Sequence, residues 1–437
     1  MKVFVIDSNK QPLDPCSAGK ARWLLAKGKA AVYRRYPFTI ILHREVEESE
    51  PQPLRFKIDP GAKTSGLALV NDQSGEVVWA AELQHRGWQI KDALEKRSGL
   101  RRGRRSRKTR YRPPRFDNRS KPKGWLPPSL MSRIYNIETW YQRLAQRCLI
   151  TSVSIETNRF DMQKMEKPEI SGVEYQQGEL HGYEVREYLL EKFNHTCAYC
   201  NKTDVPMEIE HINPRSRGGS NRISNLTLSC RPCNQKKGNQ TASEFGHPEV
   251  EAQAKKPLRS AAAVNMTRRE IQRRFFGLGL SVEVSTGGRT KYNRSVRNLP
   301  KTHWLDAVCV GQSTPDELKL NSVRPLLIKA MGRGRRQVCD TDEHGFRRKK
   351  KNGEFNAPRL IKRTRGFQTG DIARVQVPKG NNKGNYIARI ASIRKTGSFT
   401  LKPLGGKKTF TSSYKNCQIV HHSDGYDYNL GEAFAFA

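Results

Sequence analysis

The order of apolar and polar positions predicts a small mixed module at the N-terminus. A basic stretch at residues 21–27, followed by Gly28, indicates a helix with a glycine C-cap. Pro12 and Pro15 indicate a turn, and the acidic segment at residues 45–53 predicts a linker. The predicted strands are residues 3–6, 31–33 and 38–42. The simplest role for this module is packing, with a solvated basic face.

Two strands farther along the chain each end in a carboxylate. Residues 56–58 (Phe-Lys-Ile) predict a strand that runs into Asp59, and residues 150–156 alternate like a strand that ends in Glu156. A carboxylate at the end of a central strand suits an RNase H-like site, where it holds a divalent metal. Strand-end acids are also common elsewhere, so this pattern alone leaves both interpretations open.

A third acidic position lies much later in the chain. His303 begins a predicted helix and Asp306 follows on the same helix face. Alone, this H-x-x-D spacing is usually incidental. Together with Asp59 and Glu156 it supplies the remaining metal ligand and a proton-transfer group.

The remaining pattern predicts helices first and short strands towards the C-terminus. The other amphipathic helices are residues 130–148, 183–193 and 266–276, and a further strand is residues 280–284. Gly287-Gly288 reads as a turn. Residues 370–420 contain short strands with Gly, Asn and Lys turns, which predict a small antiparallel barrel with a basic surface.

Net charge points to a nucleic-acid partner. The chain has 437 residues, 80 Lys and Arg against 42 Asp and Glu, and a net charge of +38. A soluble domain needs a net charge magnitude of only about 2–8, so a polyanion is the expected partner. An anionic membrane is the weaker alternative, because no apolar run approaches the roughly 20 residues of a spanning helix.

The N-terminal residues and the cysteines indicate a cytoplasmic protein. The first residues lack the pattern of a secretory signal. The nine cysteines include two C-x-x-C pairs, which favour metal-bound thiolates in a reducing compartment over a disulfide framework.

One segment concentrates the positive charge. Residues 96–112 are dense in Arg and Lys and contain no acid. Arginine forks onto phosphate through two parallel hydrogen bonds, so an Arg-rich helix can follow a nucleic-acid backbone. Gly99 and Gly103 weaken that helix. The candidate nucleic-acid contacts are Arg97, Arg101, Arg102, Arg104, Arg105, Arg107, Lys108, Arg110 and Arg112.

The cysteine pairs predict a structural zinc site. They are Cys197 with Cys200, and Cys230 with Cys233. Four thiolates form a closed tetrahedral site with no open position, so Zn²⁺ would hold the fold and do no chemistry. The gap between the pairs is longer than in ordinary zinc ribbons, so another element fills it.

The gap and the helix after it contain the residue set of an HNH nuclease. His211 follows Glu210 at the end of a short strand, and a neutral imidazole there can take a proton from the attacking water. Asn225 would hold the loop or the histidine ring. Asn234 opens the final helix and, with Glu210, can hold one Mg²⁺ through oxygen ligands. Lys236 and Lys237 offer phosphate contacts. The alternative is a zinc-binding nucleic-acid module without hydrolysis.

These motifs, in this order, resemble those of the IscB family of transposon-encoded, RNA-guided DNA nucleases. The motifs are Ile58-Asp59-Pro60-Gly61, the Arg-rich run, Ile155-Glu156-x-Asn158-Arg159-Phe160, the zinc-bearing HNH insert and His303-x-x-Asp306. The resemblance covers nearly the whole chain. The N-terminal module resembles the family's PLMP domain, although Asp14 stands where that motif has Met.

The resemblance implies roles for each part. Asp59, Glu156, His303 and Asp306 would form a split RuvC site with two Mg²⁺ ions, of which the three carboxylates are the ligands. The Arg-rich run would be a bridge helix that grips a guide RNA. The C-terminal barrel would hold RNA and read a short motif beside the DNA target. A structured RNA would complete a ribonucleoprotein around a single protein chain.

The expected fold is α+β and multidomain. A RuvC core of the RNase H-like α/β type is split by a zinc-bearing ββα-metal HNH insert, with a small N-terminal α/β module and a C-terminal β-barrel. The expected segments are 1–50 (PLMP-like), 51–88, 126–165 and 259–330 (RuvC), 89–125 (bridge helix and connector), 166–182 and 241–258 (linkers), 183–240 (HNH), and 331–437 (basic arm and barrel).

The expected function is RNA-guided cleavage of double-stranded DNA. HNH would cut the guide-paired strand and RuvC the displaced strand. Two other classes stay open: an HNH endonuclease of the homing or restriction type, guided by protein contacts alone, and a non-catalytic RNA-binding protein.

Overall fold

The computed structural model describes most of the chain. The described residues are 2–106, 124–157, 189–190, 192–203, 205–220, 222–255, 261–320, 323–332, 348–355, 363–404 and 408–434. The predicted linker at residues 166–182 and most of the helix predicted at residues 183–193 lie outside these ranges. So do Arg107, Lys108, Arg110 and Arg112 of the Arg-rich run.

The N-terminal module is a four-stranded sheet with one helix. Its elements are β1 (Val3–Ile6), β2 (Pro12–Cys16), α1 (Ala18–Ala26), β3 (Ala30–Arg34) and β4 (Thr39–Leu42). The strand order is β2-β1-β4-β3. Pro12 and Pro15, predicted to mark a turn, lie in β2 instead. An edge strand accepts proline because one side of its backbone needs no ladder hydrogen bond.

A seven-stranded sheet forms the centre of the molecule, and other elements interrupt it in sequence. Its first part comprises β5 (Leu54–Asp59), β6 (Thr64–Val70), β7 (Val77–Gln84), α2 (Gly87–Ser106), α3 (Pro128–Ala145) and β8 (Ile150–Glu156). The cysteine module follows, with β9 (Met207–His211), β10 (Leu226–Cys230), α4 (Arg231–Lys237) and α5 (Pro248–Lys255). The chain then re-enters the central sheet with α6 (Ala261–Phe276), β11 (Ser281–Ser285), α7 (Gly287–Ser295), α8 (His303–Val308) and β12 (Leu326–Ala330).

The C-terminal region adds a second antiparallel sheet and a final strand. Its elements are β13 (Arg363–Thr364), β14 (Phe367–Gln368), β15 (Ile372–Val377), β16 (Gly384–Ile393), β17 (Ser398–Pro403), β18 (Phe410–Ser413), β19 (Cys417–His421) and β20 (Tyr426–Leu430). The sheet order is β18-β17-β16-β15-β19. Within residues 363–404 and 408–434, no ladder joins β18 to β19 to close the predicted barrel.

The central sheet has the order β11-β8-β5-β6-β7-β12-β20. Strands β5, β6 and β7 form an antiparallel meander, β8 runs parallel to β5, and β11 runs parallel to β8. The last strand, β20, pairs antiparallel with β12. Part of the segment expected to belong to the C-terminal barrel therefore completes the central sheet, where Tyr426 and Tyr428 are buried.

The two faces of the sheet are covered by different helices. Phe56 and Ile58 of β5 join the large core that includes Trp140 of α3 and Phe275 of α6. Because side chains alternate along a strand, Lys57 and Asp59 face the opposite side. That side is covered by α8, whose Leu305 and Val308 belong to a second core.

Two sequence expectations are corrected by this packing. Gly287 and Gly288, predicted to form a turn, begin α7, because Thr286 caps the helix by accepting from the Arg289 amide. Residues 241–258, predicted to be a linker, contain Ala242, Val250 and Ala254, which are buried in the core of the cysteine module. Helix α5 covers that core and is part of the module.

No helix within the described ranges combines the length and the apolar character needed to cross a bilayer.

Candidate nuclease centres

The four predicted zinc ligands meet at one point. The Sγ atoms of Cys197, Cys200, Cys230 and Cys233 all lie within 4.8 Å of one another. The Cys200 and Cys230 sulfurs are 3.7 Å apart, and tetrahedral coordination with Zn–S bonds of about 2.3 Å requires sulfurs roughly 3.8 Å apart. The Cys230 amide donates to Cys197 Sγ at 3.3 Å, which suits a thiolate. The donor set therefore fits zinc.

Local hydrogen bonding prepares one of these sulfurs for a metal. The pKa of Cys200 is lowered to about 7, chiefly by a hydrogen bond from the Lys202 backbone. Burial raises the pKa of Cys230 and of Cys233. A bound cation would favour the thiolate at all of these positions.

Glu210 and His211 lie at the end of β9, which pairs with β10 as a hairpin. The Glu210 carboxylate is buried and both of its oxygens are engaged. Tyr199 Oη donates to Oε2 at 2.5 Å, and Lys237 Nζ lies 2.5 Å from Oε1. Lys237 also donates to the His211 carbonyl at 3.0 Å. Lys237 is 1% exposed, so it binds the motif from inside and is not the predicted phosphate contact.

Sequence reasoning missed these two partners. Tyr199 lies within the first cysteine pair and was not selected, and Lys237 was predicted only as a phosphate contact. The position of Lys237, three residues after Asn234 on the same face of α4, was the available signal, because that face covers the β9–β10 hairpin.

The two asparagines have separate partners. Asn234 Nδ2 donates to Glu208 Oε2 at 2.8 Å, so its nearest carboxylate is Glu208 and not Glu210. Glu208 and Glu210 are two positions apart on β9 and share one strand face. Asn225 accepts from the Asn213 amide at 2.9 Å and donates to the Ser220 carbonyl at 2.8 Å. Asn225 therefore holds the loop after His211, which is one of its two predicted roles.

A second centre forms where β5, β8 and α8 meet. Asp59 ends β5, Glu156 ends the neighbouring β8, and α8 carries His303 and Asp306. His303 Nδ1 lies 3.6 Å from Asp59 Oδ2. Helix α8 approaches the sheet closely at Gly66, where a Cβ would lie 1.8 Å from the His303 carbonyl oxygen. The structure thus brings together four residues that are widely separated in sequence.

Two buried or nearly buried arginines face these carboxylates. Arg268 of α6 donates to Glu156 Oε1 at 3.0 Å and to the Pro60 carbonyl at 3.2 Å. Arg294 Nε of α7 lies 2.9 Å from Asp306 Oδ1. Sequence reasoning did not select either arginine, because both lie among many other basic residues in their helices.

The electrostatics of this centre favour an added cation. Burial, followed by repulsion from Asp59, raises the pKa of Glu156 to about 8. The same two causes raise the pKa of Asp306 to about 6. A hydrogen bond with Asp59 raises the pKa of His303. Carboxylates that resist ionisation because they are desolvated and close together are the set that a divalent oxygen-binding cation would relieve, so the residues fit Mg²⁺.

The Arg-rich run forms one continuous helix as far as it is described. Helix α2 continues through Gly99 and Gly103, each of which has open space around it. The predicted contacts Arg97, Arg101, Arg102 and Arg105 are exposed. The side chain of Arg104 lies outside the description. At the base of α2, the Arg133 guanidinium of α3 lies over the Trp88 ring at 5.8 Å.

Comparison with known families separates the chain into two matched regions. The model for the RRXRR protein family matches residues 3–178, and the model for HNH endonuclease matches residues 197–248. Residues 197–248 therefore form a domain of the HNH endonuclease type. The two matches confirm the resemblance to the IscB family. The HNH match extends past residue 240, in agreement with the burial of Ala242 in its core.

Curated proteins yield no match to the chain. Among solved structures, similarity extends to Cas9 of Streptococcus thermophilus in complex with the GGAA PAM, at 13% identity and a TM-score of 0.21. The same Cas9 with the AGGA PAM gives 14% identity and a TM-score of 0.21. Each match covers 60% of this chain, and the chain spans only 32% of each Cas9 chain.

Proposed function

We propose that the protein is an RNA-guided endonuclease that cuts double-stranded DNA at two centres. The HNH domain hydrolyses the guide-paired strand with His211 as general base. The centre of Asp59, Glu156, His303 and Asp306 is a RuvC site, which hydrolyses the displaced strand. The HNH domain is then an insert within the RuvC domain.

The observation that supports this proposal most strongly is the strand order of the central sheet. The set β7-β6-β5-β8-β11 has an antiparallel meander followed by two parallel strands. This order is the one expected for an RNase H-like core. It puts the carboxyl ends of β5 and β8 side by side and supports a two-metal site at Asp59 and Glu156, opposite Asp306 on α8. Metal ions there would stabilise the attacking and leaving oxygens of the phosphodiester.

The HNH residues support hydrolysis through their own positions. The hairpin places His211 at a strand end, and Asn225 fastens the loop that follows it. Lys237 holds the His211 backbone and the Glu210 carboxylate in one arrangement. His211 would take the proton of the attacking water. Mg²⁺ held by Glu210 and Asn234, with Glu208 beside Asn234, would stabilise the charge that develops on the phosphate. Glu210 would then exchange one of its two present partners, Tyr199 or Lys237, for the metal.

The charge distribution supports a nucleic-acid scaffold. The exposed arginines of α2 and the net charge of +38 suit a structured guide RNA. A groove of about 670 Å³ on the C-terminal sheet is lined by Arg374, Lys383 and Lys415 together with amide side chains. Arginine and amide side chains read base edges, which supports contact with a short motif beside the target. In such a system, base pairing reads the sequence.

Strand-labelled cleavage by the purified ribonucleoprotein tests this proposal. His211→Ala should leave cleavage of the displaced strand only, and Asp59→Ala cleavage of the guide-paired strand only. Loss of both strands in either single variant, with thermal unfolding unchanged, would reject the assignment. Cleavage that survives complete removal of co-purified RNA would instead identify a protein-guided nuclease.

A further inference from the structure

The two arginines of the acidic centre are held in different ways. Arg268 uses two groups at once: Nε donates to the Pro60 carbonyl and Nη2 donates to Glu156. Its side chain is 8% exposed. Arg268 therefore ties the loop after β5 to the end of β8, as a fixed part of the centre.

Arg294 forms an ion pair with Asp306, but its Nε–H makes no hydrogen bond. Its Nε lies 2.9 Å from Asp306 Oδ1. The Nε–H is not directed at that oxygen, and it is one of the few buried side-chain donors in the described residues without a hydrogen-bond acceptor. Its Nη1 donates to the Leu299 carbonyl at 3.1 Å, which anchors one end of the guanidinium. An unsatisfied N–H in a buried guanidinium costs free energy that a suitable oxyanion would recover.

A metal ion bound to Asp306 would weaken the ion pair between Asp306 and Arg294. Asp306 cannot serve a divalent cation and a guanidinium equally, because the two cations repel each other at short range. When substrate is bound, the oxyanion beside the metal would be the scissile phosphate. A guanidinium fork matches two phosphate oxygens.

We infer that Arg294 is a substrate-binding residue of the acidic centre, which pairs with Asp306 in the absence of metal and moves to a non-bridging oxygen of the scissile phosphate in the loaded centre. This inference rests on the proposed RuvC function. Arg268 remains on Glu156 throughout and acts as a positioning residue. The two arginines then have opposite effects on metal binding: Arg294 competes with the metal, and Arg268 preorganises its ligands.

Metal binding without substrate tests the competition directly. Mn²⁺ is titrated into the full chain freed of RNA, with Asn234→Ala present in every variant to weaken the HNH metal site while leaving the buried Glu210–Lys237 pair intact. Arg294→Gln should bind Mn²⁺ about tenfold more tightly than its parent, because a nearby positive charge is removed. Arg268→Gln should bind it more weakly. Asp306→Asn shows which signal belongs to the acidic centre.

Cleavage at saturating metal tests the substrate contact. In the ribonucleoprotein, Arg294→Gln should slow displaced-strand cleavage by at least about tenfold, with guide-paired cleavage unchanged. Arg294→Lys keeps the charge without the fork, so its Mn²⁺ affinity should stay near that of the parent and its cleavage should be intermediate. Arg289→Gln is the matched control, because Arg289 is an exposed arginine of the same helix.

The outcomes separate this inference from the proposed function. Weaker or unchanged Mn²⁺ binding in Arg294→Gln, or wild-type displaced-strand cleavage at saturating metal, overturns the role of Arg294. Failure of Asp59→Ala to remove displaced-strand cleavage overturns the RuvC assignment itself, whatever Arg294 does. Thermal unfolding of each variant shows whether a loss comes from the fold.

Discussion

At the scale of single residues, both centres are built from charges that the protein has partly removed from water. Glu210 has Lys237 and Tyr199 as partners, and Glu156 has Arg268. A buried charge without its partner is far more costly than a surface charge without one, because desolvation is no longer offset. These partners therefore matter as much as the residues that motif reading selects.

Lys237 should be essential for the HNH domain although its ammonium does not reach solvent. Lys237→Met leaves the buried Glu210 carboxylate uncompensated, and removing one partner of a buried pair typically costs about 3–5 kcal/mol. We expect loss of guide-paired cleavage and a lower unfolding temperature for the HNH domain, measured by strand-labelled cleavage and calorimetry. Lys236→Met is the matched control for the unfolding temperature, which should stay unchanged because Lys236 is exposed. Equal behaviour of the two variants would contradict this role.

The acidic centre should lose stability as pH rises when metal is absent. The pKa of Glu156 is raised to about 8 and that of Asp306 to about 6, so the folded state binds more protons than the unfolded state between the ordinary carboxyl range and pH 8. The raised pKa of His303 acts in the same direction. With chelator present, we expect the unfolding temperature to fall from pH 5 to pH 8. Added Mg²⁺ should raise the unfolding temperature, and the rise should be largest at pH 8.

Asp59→Asn provides the check on this pH dependence. Repulsion from Asp59 is the second cause of both raised carboxyl pKa values, so removing its charge should flatten the profile in chelator. A profile as steep as that of the unchanged protein would place the pH dependence elsewhere in the chain.

At the scale of secondary-structure elements, the centres depend on close approaches that local propensity does not specify. Helix α8 has only six residues and is held by its Thr302 cap and by packing on β6. A short isolated helix is marginal in water. The position of His303 and Asp306 is therefore set by the sheet below them and not by the helix itself.

Gly66 is the residue that permits this approach. Gly66→Ala would put a Cβ 1.8 Å from the His303 carbonyl oxygen, so α8 must move away from β6. We expect displaced-strand cleavage to fall by at least about a hundredfold, since misplacement by about 1 Å can cost that much, while guide-paired cleavage remains. Gly103→Ala is the control, because its surroundings are open and alanine favours a helix. Intact cleavage of both strands by Gly66→Ala would show that α8 is not held as described.

At the scale of the whole molecule, two folding units serve different tasks. The cysteine module has its own hydrophobic core and its own cluster of four cysteines that fits a metal ion. The central sheet collects strands from three separated parts of the chain and finishes with β20, which follows the C-terminal sheet. The C-terminal sheet is therefore tied at both ends to the sheet that carries the acidic centre, through β12 before it and β20 after it.

The positive surface should show itself in the salt dependence of RNA binding. Replacing Arg97, Arg101, Arg102 and Arg105 by Gln should reduce the slope of log affinity against log salt by about 3, at roughly 0.7–0.9 per lost phosphate contact. Affinity measured at several salt concentrations tests this. The comparison set consists of four exposed basic residues of the N-terminal module changed to Gln: Lys10, Lys20, Arg22 and Lys27. A slope that falls no more than in that set would mean that α2 does not contact the RNA.

The sequence by itself determined which residue types are available for the chemistry, and much of the local structure. Cysteine spacing, the Glu210-His211 pair and the H-x-x-D motif predict metal and nuclease residues, because their side chains suit metal binding and proton transfer. Alternating apolar positions identified β5 and β8, and apolar positions at helical spacing identified α3. Burial of one face requires a period of about 2 in a strand and about 3.6 in a helix. The edge prolines and the core contacts of α5 were misread because each depends on a neighbour distant in sequence. The start of α7 was misread although its signal is local, because the Gly287-Gly288 pair was given more weight than the Thr286 cap.

Only the tertiary structure decided which charged groups meet. Arg268 and Arg294 are two basic residues among many in the sequence, and they differ from the others only in facing Glu156 and Asp306. The same holds for Lys237, which faces Glu210. Ion pairs across a fold leave no periodic trace along the chain, since their geometry arises when strand order and helix packing bring separate segments together.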